Sequence, residues 1–211
     1  MKKITGILLL AVLLFTASCN NETKEVKEEV KVEEVDKNAL ADKNYIVSNK
    51  ESVVKWEGSA VAHGHNGTIN VIAGKFSVEE GKLAAGKISI DMTSMNATDL
   101  ADSPEDKGKL EGHLKNADFF NTAEHPVATL EITDASNMAA VKANLTIKDA
   151  THPVEFPMNV SMKDGSAVVT ADLSFDRTKY DITYNSGNFF ENLGDKMIKD
   201  EVNLNVMLMA K

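Results

Sequence analysis

The chain has one cysteine, one arginine, one tryptophan and four prolines among 211 residues. Cys19 standing alone excludes an intramolecular disulfide and any cysteine-built metal cluster. Positive charge is also scarce: 23 Lys and Arg face 32 Asp and Glu, a formal net charge of −9. Such a surface repels phosphate backbones, so no nucleic-acid partner is expected. Long apolar runs are missing too. The longest, Ile4 to Phe15, falls well short of the ~20 residues that a helix needs to span a bilayer.

That short run follows Lys2 and Lys3 and precedes small residues and Cys19, the pattern of a secretory signal. Thr16-Ala17-Ser18-Cys19 resembles a bacterial lipobox, whose cysteine becomes the acylated first residue of the mature protein. Residues 1–18 are therefore expected to be a lipoprotein signal peptide, with Cys19 as the site of lipid attachment. Buried acyl chains contribute roughly 0.8 kcal/mol per methylene, and more than one chain makes anchoring durable. Asn20 to Asn44 holds eight acidic residues and five lysines, and its valines at 26, 30, 32 and 35 are too sparse to bury a face. Residues 19–44 thus read as an acylated cysteine and a charged flexible tether, and 45–211 as one domain long enough for a sizeable core. Without the signal the formal charge is −11, with 21 basic against 32 acidic residues. The expected location is the bacterial cell envelope, membrane-anchored and facing the periplasm or the cell surface.

From Tyr45 onward the sequence alternates with period two. Ile88, Ile90 and Met92 alternate with Lys87, Ser89 and Asp91; Val141, Ala143, Leu145 and Ile147 alternate with Lys142, Asn144, Thr146 and Lys148. The same pattern runs through Val154, Phe156, Met158, Val160 and Met162, read as one strand, then Val169, Ala171, Leu173 and Phe175, and finally Val202, Leu204, Val206 and Leu208. Asn66-Gly67, Glu80-Gly81, Asp149 to Pro153 and Asp164-Gly165 read as turns, and Gly74 as a bulge or kink.

Ser103 to Pro126 alone departs from this pattern. Ser103 and Pro104 suit a helix start, Asp106 stands at the second position of a capping box, and Leu110, Leu114 and Ala117 recur at helical spacing. The aromatic pair Phe119 and Phe120 follows. The expected fold is all-β: roughly eight to ten antiparallel strands closing into a barrel, capped by one short helix, after a disordered N-terminal arm. One such helix cannot cover an open sheet, so the apolar face is buried either against a second sheet or by closing on itself, and closure is the expectation. That interior either holds a slender ligand or is filled by side chains.

No strong catalytic motif is present. His63 and His65, two apart, are the only close histidine pair and suggest a metal-assisted hydrolase as one alternative, with His125 or Asp118 as a third ligand. Their place in a Gly/Asn-rich turn weighs against it. Arg177, the lone arginine, reads as an ion-pair or backbone-bonding residue beside the barrel rim, and Trp56 as packing.

Several segments carry a resemblance. They are His113-Leu114-Lys115-Asn116-Ala117-Asp118-Phe119-Phe120, His125 to Leu130, Asn144 to Lys148, His152 to Pro157, Phe175 to Tyr180 and Asp195 to Val206. In this order they resemble the YceI-like family of bacterial periplasmic and secreted proteins, associated with polyisoprenoids and related long-chain lipids. Asp149-Ala150 and Asp181 stand where that family commonly has glycine. The resemblance implies a lipocalin-like barrel with a lipid tunnel, no catalytic centre and no cofactor. The residues expected to line or gate that tunnel are Phe119, Phe120, Leu145, Ile147, Phe156, Met158, Val160, Leu173, Phe175, Val202, Leu204, Val206 and Leu208. The expected partners are a long-chain lipid and the membrane, the latter through the N-terminal acyl anchor. A structural or adhesive surface lipoprotein is the further alternative.

Overall fold

The structure, a computed structural model, describes residues 40–211. The expected signal peptide, Cys19 and nearly all of the tether lie outside the described residues. Ten strands and one α-helix follow in order: β1 (Asn44–Ile46), β2 (Val53–Ala60), β3 (Gly64–Glu79), β4 (Lys82–Ala97), α1 (Pro104–Lys115), β5 (Val127–Asp134), β6 (Val141–Ile147), β7 (Ala150–Phe156), β8 (Met158–Lys163), β9 (Ser166–Asp176) and β10 (Ile198–Ala210). Short 3-10 turns occupy Arg177–Tyr180 and Gly194–Lys196.

All pairings between these strands are antiparallel, in the order β7-β6-β5-β4-β3-β2-β10-β9-β8, with β1 added against β3. The alternation explains the curl, because every strand offers one apolar face. Val141, Ala143, Leu145 and Ile147 of β6 are buried, as are Val169, Ala171, Leu173 and Phe175 of β9. Those faces converge on one interior, each buried Val, Leu, Ile or Phe contributing roughly 1.5–3 kcal/mol.

The two ends of the sheet are consecutive in the chain. Pro157 alone separates β7, which pairs with β6, from β8, which pairs with β9. The single strand read from the alternation is thus two strands that change partner at a residue with no amide hydrogen to give a ladder. Beyond Ala171, β9 has no ladder to β7. There the seam is covered by the turn after β9, whose Tyr180 meets His152 of β7 and Phe175 edge-on at 5.2 and 5.6 Å.

Other local expectations are corrected. Asn66-Gly67 lies inside β3 and is not a turn. A Cβ on Gly67 would lie 2.0 Å from the Asn96 carbonyl oxygen and 2.6 Å from the Trp56 ring, so close strand packing, not a hairpin, demands this glycine. The β6–β7 turn is shorter than expected, with Lys148 left-handed (φ 53°), and Thr151, His152 and Pro153 already belong to β7. Gly74 pairs regularly with Ile88; the register shift nearest to it falls between Val71 and Ala73, and Val47 packs where a Gly74 side chain would be. Ser103 caps α1 without a side-chain hydrogen bond, so no capping box forms, and Ala117 lies past the helix end, exposed. Asp181, where the resembled family has glycine, is left-handed at φ 57°.

The chain enters at the end of the barrel where β3 finishes. Val78 donates its amide to the Lys43 carbonyl oxygen, and the Asp42 carboxylate accepts from the amides of Glu80 and Gly81 at 3.0 and 2.8 Å. Tyr45 stacks on Phe76 there, centroids 4.9 Å apart. Helix α1 packs at the opposite end. Glu111 Oε1 accepts from the Ala97 amide at 2.9 Å, and Lys107 Nζ donates to Asn96 Oδ1 at 2.7 Å, fixing the helix to the last residues of β4.

Candidate functional site

Beneath α1 the barrel is hollow. A cavity of about 400 Å³ is walled by Val54, Trp56, Ile69, Ile90, Met92, Met95, Ala128, Leu145, Ile147, Phe175, Val202 and Leu204. Leu110, Leu114, Phe119 and Phe120 roof it, and Gly58 to Ala60, His63, His65, His113, Arg177, Tyr184, Asn185, Lys196, Ile198 and Lys199 form the rest of its lining. Its size lies within the range of small-molecule sites. Further along the same strands sits a second space of about 60 Å³, lined by Phe76, Leu83, Ile88, Leu130, Ile132, Phe156, Met158, Val169, Ala171, Leu173, Val206 and Leu208 among others.

The two linings meet along a ring of neighbours. Leu173 is the ladder partner of Leu204, while Ile88 and Leu130, themselves ladder partners, each stand two residues from Ile90 and Ala128 on β4 and β5. The sequence-expected lining therefore divides. Phe119, Phe120, Leu145, Ile147, Phe175, Val202 and Leu204 face the larger space; Phe156, Met158, Leu173, Val206 and Leu208 face the smaller. Val160 lines neither and packs, half-buried, on the core.

The roof is held by a backbone wrap at the end of α1. Phe120, Asn121 and Thr122 donate amides to the carbonyls of Leu114, Asn116 and Lys115, with Asn121 left-handed at φ 46°. Asparagine tolerates that conformation, and the reversal turns Phe119 inward. The His113 ring then contacts Phe119 and Tyr184 edge-on, at 5.1 and 4.6 Å, while its Nε2 lies 3.3 Å from Asp118 Oδ2.

Arg177 ties this roof to the rim loop. Its side chain is 1 % exposed. Nε donates to the Lys199 carbonyl oxygen, Nη1 to that of Ile182, and Nη2 to that of Ile198 and to Asp200 Oδ1 at 3.2 Å. Asp200 Oδ2 accepts in turn from Ser186 Oγ at 2.9 Å and Asn188 Nδ2 at 2.7 Å. Burial pulls the guanidinium pKa below its ordinary value, against the pull of Asp200 and Asp176 in the other direction. Every guanidinium nitrogen is satisfied by the protein, and the Phe119 ring lies 5.8 Å from its carbon. Its role is architectural, as the sequence suggested.

His63 and His65 do come together, ring centroids 5.3 Å apart and edge-on, at the cavity lining. His65 Nδ1 is engaged by Asp99 Oδ2 at 2.7 Å. Burial raises the Asp99 pKa, but the His65 hydrogen bond and the Asn66 amide outweigh it and leave the carboxyl below its ordinary value. Among the described residues no three His, Cys, Asp or Glu side chains are grouped to hold a metal ion. His125 and Asp118, the third ligands considered, contact Asp149 and His113 instead.

The alternation of single strands did not single out Trp56, Met95, Ala128, His113 or Tyr184 as lining. Their shared position arises from strands, a helix and a loop distant in sequence. Trp56 is packed, as expected, with Nε1 donating to the Thr68 carbonyl oxygen at 3.3 Å, yet its ring also forms cavity wall.

Comparison with known proteins places this geometry in context. The model of the YceI-like domain matches residues 45–210. A protein described as YceI from Escherichia coli O157:H7 is 31% identical over 91 residues, 42% of this chain and 44% of that protein. A UPF0312 protein from Azotobacter vinelandii is 30% identical over 92 residues, 42% and 45% of the two chains. The matches thus span a little under half the length of these relatives. Among solved structures, Burkholderia cenocepacia BcnA superposes with a TM-score of 0.62 at 20% identity, over 78% of this chain and 99% of that one. A polyisoprenoid binding domain from Saccharophagus degradans gives 0.57 at 16% identity, over 79% and 97%. With the barrel, its roof helix and a domain-long match in agreement, the chain belongs to the YceI-like family.

Proposed function

We propose that this protein binds a long-chain lipid, an isoprenoid or another amphiphile with a slender apolar tail, without catalysis. The membrane-anchored envelope location expected from Thr16 to Cys19 completes the reading. The observation that carries it is the cavity of about 400 Å³ with an almost wholly apolar wall. Each guanidinium nitrogen of its buried cation, Arg177, donates to the protein, so that charge does not call for an anionic cargo. The solved relative described as polyisoprenoid-binding supports the same class of ligand.

Binding of this kind draws on apolar burial at roughly 25 cal/mol per Å² before ordering costs. Contacts to Met92 and Met95 adapt to tails of different shape, because the thioether side chain repacks readily. The cavity of about 400 Å³ sets how much of a tail the wall encloses. A longer tail must continue into the second space past Leu173, or leave its remainder at the mouth.

Trp56 supplies the test. A fluorescent polyene fatty acid bound in the cavity accepts energy from Trp56, and Ala128→Leu, which fills part of the lined space, weakens its binding at least tenfold while leaving the fold intact. Absence of energy transfer, or affinity unchanged by Ala128→Leu, contradicts the reading.

A further inference from the structure

The described residues expose eight large apolar side chains, and four of them belong to segments that line the cavity mouth. Val61, 52 % exposed, sits in the β2–β3 turn between Ala60 and His63 and donates its amide to the Met197 carbonyl oxygen. Tyr184 lines the cavity itself. Phe189 and Phe190, 58 % and 49 % exposed, both donate amides to the Ser186 carbonyl oxygen, next to the lining residue Asn185. This loop is not loose. Ser186 is buried, bridges Ile198 and hydrogen-bonds Asp200, so the two phenylalanines are held outward by the same network that holds Arg177. Holding two adjacent aromatic rings in water has an apolar partner as its natural explanation.

We propose that this rim docks on a lipid bilayer, with Phe189 and Phe190 entering the interface and the cavity mouth seated against the headgroups. Three features single out a bilayer. Aromatic rings favour the membrane interface, and this rim is continuous with a lipid-sized apolar cavity, so an apolar tail passes between the two without crossing water. Lys196 and Lys199 line the cavity mouth, neither in an ion pair among the described residues, and the exposed Glu191 and Asp195 stand in the same loop, so the rim presents both signs of charge, as zwitterionic headgroups do. The length of chain outside the structure also fits. It joins the barrel at the end away from the mouth, and the 24 residues from Cys19 to Asp42 reach about 80 Å when extended. The longest strands, of 16 residues, span about 53 Å. A barrel held at Cys19 can therefore turn its mouth to the membrane that holds it.

The purpose of docking rests on the lipid reading above, but docking is measured separately from cargo. The chain from Asn20 to Lys211, which contains every described strand and the core they enclose, is floated with vesicles of phosphatidylethanolamine and phosphatidylglycerol. The native sequence floats. Phe189→Ser/Phe190→Ser reduces the vesicle-bound fraction at least fivefold, whereas Ile46→Ser, an exposed apolar change toward the other end, does not. Thermal unfolding checks that both variants fold. In a Trp56→Phe background, Phe189→Trp shifts to shorter emission wavelength on vesicles and is quenched by brominated lipid tails. A native chain that stays with the soluble fraction, equal flotation of the double variant, or an unquenched Trp at 189 overturns the proposal. If flotation is lost in the double variant while Trp56 shows no energy transfer to the polyene in the native chain, docking stands and the cargo reading falls.

Discussion

Arg177 Nη2 and Asp200 Oδ1 meet at 3.2 Å, with the guanidinium buried and the carboxylate nearly so, where the last turn of β9 passes the start of β10. Around this pair converge the Ile182, Ile198 and Lys199 carbonyls and the Ser186 and Asn188 side chains, so one cation organises the whole rim. Arg177→Lys keeps the charge but loses the fork geometry that reaches three carbonyls at once. The expected cost is about 3 kcal/mol, read as a lower urea midpoint, since a buried charge is left partly unpaired.

Tyr180 presents the opposite case. It is 1 % exposed, and its hydroxyl finds no hydrogen-bond partner among the described residues. Burial, with help from Asp176, pushes its pKa up to about 12. Tyr180→Phe removes an unsatisfied group and is expected to stabilise the domain by about 1 kcal/mol at pH 7.

The same substitution fixes an alkaline dependence. Between pH 10 and 12 the unfolded chain releases the phenol proton while the folded one retains it, so the stability tied to Tyr180 is complete below pH 10 and falls as pH rises through 12. The advantage of Tyr180→Phe over the native chain widens by up to about 3 kcal/mol across that window. Parallel stability curves for the two proteins from pH 9 to 12 contradict the assignment.

Gly67→Ala places a methyl group against the Asn96 carbonyl and the Trp56 ring. Neither can yield freely, because Asn96 is in the β4 ladder and Trp56 is bonded to Thr68. A loss of at least about 3 kcal/mol is expected, together with a changed Trp56 emission. An unaltered emission spectrum shows that the wall has not moved.

Leu173→Ala enlarges the ring where the two interior spaces meet. It costs roughly 2–5 kcal/mol as a large-to-small core change, and it is expected to shift the preferred tail toward greater length. Titration with fatty acids of increasing chain length checks this: an optimum that does not move places the boundary at other residues.

Much of this architecture is legible in the alternation of β6, β9 and β10, where one apolar face had to be buried and few helices were available to cover it. Arg177 was legible as a rim residue because its surroundings are local: every partner lies within about two dozen residues of it. Asn66-Gly67 was not, because its turn chemistry is overridden by the Trp56 ring and the Asn96 carbonyl, residues of other strands. Nor was the change of partner at Pro157, since alternation continues through it undisturbed. The division of the lining into two spaces was hidden for the same reason: period two tells which side of a strand faces inward, not how far along the barrel the space remains open.

Native mass spectrometry of the Asn20 to Lys211 chain, exported in its own cells without Cys19 and purified without detergent, shows most plainly whether the hollow barrel carries a lipid tail. The account predicts a mass excess near one long-chain lipid per barrel that extracts into organic solvent and is absent from Ala128→Leu. A bare polypeptide mass, or an adduct of equal abundance in Ala128→Leu, would contradict it.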